Sequence, residues 1–222
     1  MTVQTLSTTA EFEQARKKMI ERDLAGRDIT DPRVLDAMRR VPRHEFVSEE
    51  LRNVAYLDDP LPIEASQSIS QPYIVALMTQ LLNLDPEDRV LEVGVGSGYQ
   101  SAVLAELARQ VIGIERISEL AGQARARLDA LDYKNVVIHV GDGTEGCSES
   151  APFDAILVAA AAPSIPEPLI EQLADGGRLV LPISFDDDQY LERITRRGET
   201  LHIEKLTLVR FVPLIGRHGY KE

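Results

Sequence analysis

The chain has 222 residues and a formal net charge of −12 at pH 7, from 24 basic and 36 acidic side chains. That length supports one substantial core, and the acidic balance argues against a nucleic-acid partner, because phosphate binding draws on clusters of lysine and arginine. A single cysteine, Cys147, excludes an internal disulfide; His44, His139, His202 and His218 lack metal-site spacing; and no run is apolar enough to cross a bilayer, so the expectation is a metal-free, cytoplasmic protein without a membrane partner. A monomer is expected as well, though none of these features bears on it.

Residues 1–9 read as a polar, mobile tail. A helix is predicted from Glu11 to Leu24, with Phe12, Ala15, Met19 and Ile20 at helical spacing and a stop at Gly26. A second starts at Asp31-Pro32, an N-cap followed by a first-turn proline, and runs to Val41 before Pro42. Tyr56 to Gln71 is irregular and proline-bearing, and Pro72 to Leu84 resumes a helical pattern. From Arg89 the pattern changes. Strands over 90–93, 110–115, 136–140, 153–159 and 178–183 alternate with helices over 99–109, 117–131 and 166–174, with Gly176-Gly177 as a turn. Tyr190 to Arg197 and Leu201 to Val212 follow without an intervening helix, which predicts antiparallel strands at the sheet edge. The expected architecture is an α/β, doubly wound, mostly parallel seven-stranded sheet with an antiparallel edge strand and an N-terminal helical extension. Residues 1–88 form the extension and 89–222 the catalytic domain, as one integrated unit.

The most informative stretch is Arg89-Val90-Leu91-Glu92-Val93-Gly94-Val95-Gly96-Ser97-Gly98-Tyr99, a buried-strand pattern entering a glycine loop and a helix. Gly94, Gly96 and Gly98 permit tight turns and close approach of a ligand to the backbone. Val111 to Glu115 is a second apolar strand, ending in a carboxylate about twenty residues after the first glycine, where it can accept from both ribose hydroxyls. The loop is G-x-G-x-G with Tyr99 next, which disfavours a dinucleotide. Glu92 at the strand's carboxyl end would repel phosphates and attract an ammonium, which S-adenosylmethionine carries; the alternative is a carboxylate capped by backbone N–H groups. Ser97 belongs to the same cofactor loop. Asp142-Gly143, at the end of the third strand, suits an adenine amino group or is simply a tight turn. Ala159 to Ala162 leave room for a transferred methyl, or pack a helix on the sheet.

These features resemble the class I S-adenosylmethionine-dependent methyltransferases, with their Rossmann-like fold. Four further segments narrow the resemblance: Val41-Pro42-Arg43-His44-Glu45-Phe46-Val47, Leu61-Pro62-Ile63, Gln67-Ser68-Ile69-Ser70-Gln71-Pro72-Tyr73 and Val209-Arg210-Phe211-Val212-Pro213-Leu214. From about Arg16 to Gly216 the chain is similar, in order and spacing, to the protein-L-isoaspartate O-methyltransferases. The resemblance implies methyl transfer from S-adenosylmethionine, with S-adenosylhomocysteine as product, to the free α-carboxylate of L-isoaspartyl residues in damaged proteins, initiating repair through a succinimide. Another carboxylate acceptor is the alternative. It implies Ser70 as the catalytic serine; Ser68, Ile69, Ser70, Gln71, Val212, Pro213 and Leu214 at the substrate; and Glu92, Gly94, Gly96, Ser97, Gly98, Glu115, Asp142 and Gly143 at the cofactor, with no metal. The family's glycine-bearing turn is here Glu64-Ala65-Ser66, which stiffens the turn and brings a negative charge into the region of an anionic substrate. Ser68 and Ser70 also suit a helix cap before Pro72.

Overall fold

A computed structural model describes Leu6 and residues 8–221. Helix α1 (Thr9–Met19) opens with a capping box, in which Thr8 Oγ1 accepts from Glu11 N–H and the Glu11 carboxylate accepts from Thr8 N–H. It continues into a π-helical turn, Ile20–Leu24. The mobile tail expected over residues 1–9 lies largely outside the described residues, and Thr8 and Thr9 already begin this helix. Helix α2 (Pro32–Arg40) starts as its sequence predicts, with Asp31 accepting from Arg33 N–H. Helix α3 (Pro72–Leu82) ends two residues before the expected Leu84, with Asn83 in the left-handed conformation as its C-cap.

The stretch between α2 and α3 is more ordered than expected. Leu61–Pro62 (β1) pairs antiparallel with Ser68–Ile69 (β2) across the Glu64-Ala65-Ser66 turn. That turn holds Ala65 at φ 53 and Ser66 at φ 56, the left-handed region a Cβ disfavours. A glycine would fit there without strain.

From Arg89 the chain alternates strand and helix: β3 (Arg89–Val93), α4 (Tyr99–Ala105), β4 (Gln110–Glu115), α5 (Ser118–Ala130) and β5 (Val136–Val140). β6 (Phe153–Val158), α6 (Glu167–Glu171) and β7 (Leu173–Phe185) continue it, and β8 (Asp188–Arg197) and β9 (Thr200–Val209) close it. The seven-stranded sheet has the order β5-β4-β3-β6-β7-β8-β9. β3 to β7 run parallel, whereas β8 runs antiparallel to both β7 and β9, so the antiparallel edge is a three-strand meander. Building outward in both directions from β3 and β6 opens a crevice at their carboxyl ends, where ligands bind in such sheets.

Gly176-Gly177 is not the turn expected before a strand at 178–183. Both glycines lie inside β7, because Leu173 already pairs with Phe153 and the ladder then slips before Arg178 meets Ala155. Gly176, at φ 78, takes up the slip. α6 is correspondingly shorter than the expected 166–174.

Extension and sheet share one apolar cluster that runs from Met19 and Phe46 to Leu157 and Leu191. Tyr99 is central to it: the ring is buried, meets Phe46 edge-on at 5.5 Å and lies 4.9 Å from the guanidinium of Arg43. Arg43 is itself fully buried, donating from Nε to the Ala55 carbonyl at 2.8 Å. Burial lowers the Arg43 pKa to about 10 and raises that of Tyr99 to about 12. The tyrosine that disfavours a dinucleotide therefore faces the helical layer and not a ligand. No helix among the described residues is long and apolar enough to cross a membrane.

The turn strain sets an expectation. Ala65→Gly relieves the left-handed cost at that residue, and after the extra chain entropy of glycine it should stabilise the protein by up to about 1 kcal/mol, read from chemical denaturation.

Candidate active site

Two cavities meet at the carboxyl ends of β3 and β6. The first, about 280 Å³, is floored by Val93, Gly94 and Gly96 and walled by Glu115, Gly143 and Ala159. Gly94 at φ 86 and Gly96 at φ 54 lie in the left-handed region that favours glycine, and they turn bare backbone toward the cavity. Glu115, 5% exposed, holds this loop in place: Gly96 N–H donates to Oε2 and Ile117 N–H to Oε1, each at 2.9 Å. Each oxygen keeps a further lone pair for a ligand hydroxyl. Gly143 fits because a Cβ there would lie 2.3 Å from Val93 Cγ1.

Other predicted cofactor residues stand back from the wall. Gly98, at φ 89, caps α4, and a Cβ on it would meet Ala124 Cβ at 3.3 Å; its smallness serves helix packing. Ser97 is buried and accepts from Tyr99 N–H at 3.3 Å. Glu92 is fully buried behind the loop, where Ser101 Oγ donates to Oε2 and Oε1 has no partner among the described residues. Burial pushes its pKa up to about 8, Ser101 draws it down and the charge of Glu115 adds to the rise. No backbone N–H caps it among the described residues, so the capped-carboxylate alternative does not describe it.

Asp142 also lies off this wall. Its Oδ1 accepts from Thr144 N–H and Oγ1–H at 2.9 and 2.7 Å, and its Oδ2 from Arg217 N–H at 2.7 Å. Burial raises its pKa, but the bonds from Arg217 and Thr144 outweigh burial and hold the carboxyl below its ordinary range. It combines the tight-turn role with anchorage of the C-terminal segment, which walls the first cavity through Val212 to Ile215.

The second cavity, about 760 Å³, is a groove lined by Arg27, Ser70, Gln71, Tyr73, Asp188 and Thr207 to Val212. Ser68, Ala159 and Val212 border both cavities. Ser70 is half-buried, and no hydrogen bond engages its hydroxyl among the described residues. Neither Ser68 nor Ser70 caps α3. Its N-cap is Gln71, without a side-chain bond, and Asp58 Oδ1 instead accepts from Tyr73 N–H at 2.8 Å. Arg27 lies 3.4 Å over the Tyr73 ring and bonds Asp58 at 3.2 Å. Asp58 and Arg27 escaped the sequence reading, and Tyr73 entered it only as the end of the Gln67 to Tyr73 segment, since no local spacing links residues 27, 58 and 73.

Three substrate assignments change. Ile69 is 4% exposed and packs in the core cluster, because β2 alternates sides and turns it inward. Pro213 and Leu214 wall the first cavity and not the groove. Their strand is engaged with Ala161, whose N–H donates to the Val212 carbonyl and whose carbonyl accepts from Leu214 N–H, both at 2.8 Å. Glu64 faces Arg127, with Nη2 at 3.6 Å, and lines neither cavity.

A glycine-floored crevice with an acidic residue at the end of the next strand, beside a second cavity holding a serine, defines a Rossmann-like S-adenosylmethionine-dependent methyltransferase. Residues 14–219 match the protein-L-isoaspartate(D-aspartate) O-methyltransferase family. The chain belongs to that family. A relative from Syntrophus aciditrophicus named protein-L-isoaspartate O-methyltransferase is 54% identical over 94% of this chain and 97% of its own length. One from Dictyoglomus thermophilum, with the same name, is 51% identical over 96% and 97%. Among solved structures, a protein-L-isoaspartate O-methyltransferase aligns with a TM-score of 0.84 at 29% identity, covering 92% of this chain and 67% of the other. A Plasmodium falciparum structure described as such an enzyme in complex with S-adenosyl-L-homocysteine aligns with a TM-score of 0.79 at 31% identity, covering 90% and 98%.

Two measurements probe these placements. Glu92 has a folded-state pKa above that of the unfolded chain, so the ligand-free protein loses stability as pH rises from the ordinary carboxyl range toward about 8. Glu92→Gln should therefore melt like the wild type near pH about 5 and several degrees higher at alkaline pH, in a pH series of thermal scans. Asp142→Ala should release Arg217 N–H, detectable as faster amide exchange in the C-terminal segment with the central strands unchanged.

Proposed function

We propose that this chain methylates the free α-carboxylate of L-isoaspartyl residues in damaged proteins and peptides, with S-adenosylmethionine as donor. The observation that carries the reading is the junction of the two cavities at Ala159, with Glu115 and bare glycine backbone on one side and the unengaged Ser70 hydroxyl on the other. The first cavity fits the cofactor: Glu115 offers lone pairs for ribose hydroxyls, Gly94 and Gly96 allow close approach, and the orphaned Glu92 Oε1 lies behind them. When bound, S-adenosylmethionine supplies a methyl group activated by a sulfonium sulfur.

The residues of the chain then have a limited task. An α-carboxyl group with a pKa of roughly 3.5 is ionised at neutral pH, so no side chain has to remove a proton. Ser70 donates one hydrogen bond to the acceptor carboxylate and fixes its direction without forming a covalent bond to it. Ala159, with its single methyl, leaves the passage between the cavities open, and Val212 on the same border excludes water. The carboxylate oxygen that Ser70 orients would take that methyl group, giving the ester. Outside the enzyme the next backbone nitrogen attacks the ester carbonyl, its proton and the methoxy group leave as methanol, and the succinimide forms.

The turn of Glu64 toward Arg127 removes the ground for a different carboxylate acceptor, because its charge is directed away from the groove. The proposal includes action by a single chain in the cytoplasm on protein substrates, with neither nucleic acid nor membrane as partner. The net charge of −12 supports the exclusion of nucleic acid.

Incubation with S-adenosylmethionine and an isoaspartyl peptide should give a base-labile methyl ester, absent from the aspartyl control. Ser70→Ala should lower kcat about tenfold or more while the S-adenosylhomocysteine Kd stays within about twofold, and Glu115→Ala should raise that Kd about tenfold or more. Equal losses of turnover and cofactor affinity in Ser70→Ala would make Ser70 a structural residue and overturn its assigned role.

A further inference from the structure

β9 ends the sheet, and its outer edge has no partner strand among the described residues. Ile203 stands opposite Ile194, Lys205 opposite Glu192 and Leu208 opposite Tyr190, and directly opposed residues share a face. A register shift at Tyr190/Glu192 inserts one extra β9 residue between Lys205 and Leu208, which returns Leu208 to that face. The result is a row with Leu201, Ile203 and Leu208 at its apolar positions and Lys205 between them. Leu201, Ile203 and Leu208 are 39%, 50% and 59% exposed, and Phe185 on β7 is 63% exposed. Exposed edges are usually blunted by charge, proline or a bulge, and β9 carries a lysine and a bulge. Here the ammonium of Lys205 is drawn over the rings of Tyr190 and Phe185, at 3.4 and 4.7 Å, and leaves the apolar side chains uncovered.

The carboxyl end of this strand is the wall of the groove that holds Ser70, through Thr207, Leu208 and Val209. The neighbouring Val212 to Leu214 segment offers little main-chain pairing, since its bonds go to Ala161 and Pro213 has no N–H. β9 is therefore the free ladder that leads into the groove. From Leu201 to Leu208 it spans about 23 Å at roughly 3.3 Å per residue.

We infer that the free edge of β9 is a docking track on which the extended chain flanking the isoaspartyl residue adds as a further strand, placing apolar side chains at alternate positions over Leu201, Ile203 and Leu208. The track rests on the repair reading of the Ser70 groove and deepens it by naming the form of the substrate. A folded domain buries its alternating apolar strands. Only an unfolded or loosened segment presents both a free backbone edge and such side chains, so the track selects damaged polypeptide that has lost local structure. Main-chain pairing keeps the selection tolerant of sequence.

The test compares a short isoaspartyl peptide of about six residues with the same peptide extended on each side by about eight residues of alternating valine and threonine. The extended peptide should have a KM about tenfold lower at similar kcat. The exposed double variant Leu201→Ser/Ile203→Thr should abolish most of that gain and leave the short peptide's kinetics unchanged. Equal KM values for the two peptides, or an equal effect of the variant on both, would overturn the track while leaving the methyltransferase reading intact. Sedimentation showing a dimer that the double variant dissociates would assign the edge to a second copy and also overturn it. Failure to methylate the short peptide would remove the repair reading, and the track with it.

Discussion

The bonds from Gly96 N–H and Ile117 N–H to the Glu115 carboxylate are the constraint on which the rest of the site depends. The parallel register of β3 and β4 sets Val93 beside Ile114, so the glycine loop leaving one strand comes level with the carboxylate that ends the other. A buried carboxylate accepting two backbone donors is strongly held, because bonds to an ionised acceptor are stronger than neutral ones and removing it would leave both N–H groups without that partner. The loop is thereby fixed in left-handed turns that only glycine enters without strain. That fixes the cavity floor. The same negative charge acts on Glu92 behind the loop, where burial already favours the neutral acid.

The acceptor side depends on a second anchoring system. Tyr99 follows the glycine loop directly, and its packing with Phe46 and Arg43 joins the extension to the sheet in one core. Asp58 then caps α3 through Tyr73 N–H and is itself gripped by Arg27, so the residues just before α3, including Ser70, are aimed at the end of β6. A helical extension and an α/β sheet thus contribute one wall each to a shared border at Ala159. Methyl transfer to an ionised carboxylate needs little acid–base chemistry and much alignment, which is what two rigid walls supply.

Charge at the groove is mixed. The chain as a whole carries −12, and Arg27 and Arg210 line the groove beside Asp188, while Asp58 holds Arg27 and Arg127 holds Glu64, the acidic departure in the nearby turn. These pairs act at short range, whereas the net charge is spread over the surface and screened by salt.

Much of this was legible in the chain itself, because it rests on local rules. The alternation of strands and helices, the glycine loop, Glu115 at the end of the next strand and the antiparallel closing strands all follow from periodicity and turn chemistry, and the collinear segments pointed to Ser70. Side-chain direction over long separations was not legible. Gly98 and Ser97 share the loop with Gly94 and Gly96 but face helix packing, Ile69 sits between two cavity residues but alternates inward, and Pro213 and Leu214 wall the first cavity once their segment is taken up by Ala161. Asp142 binds the returning C-terminus some seventy-five residues away, at a separation no local pattern records. The sequence by itself determined the fold class and the chemistry of the cofactor loop, since those depend on near neighbours; which side chains face which cavity, and which sheet edge stays open, was decided only when distant segments packed together.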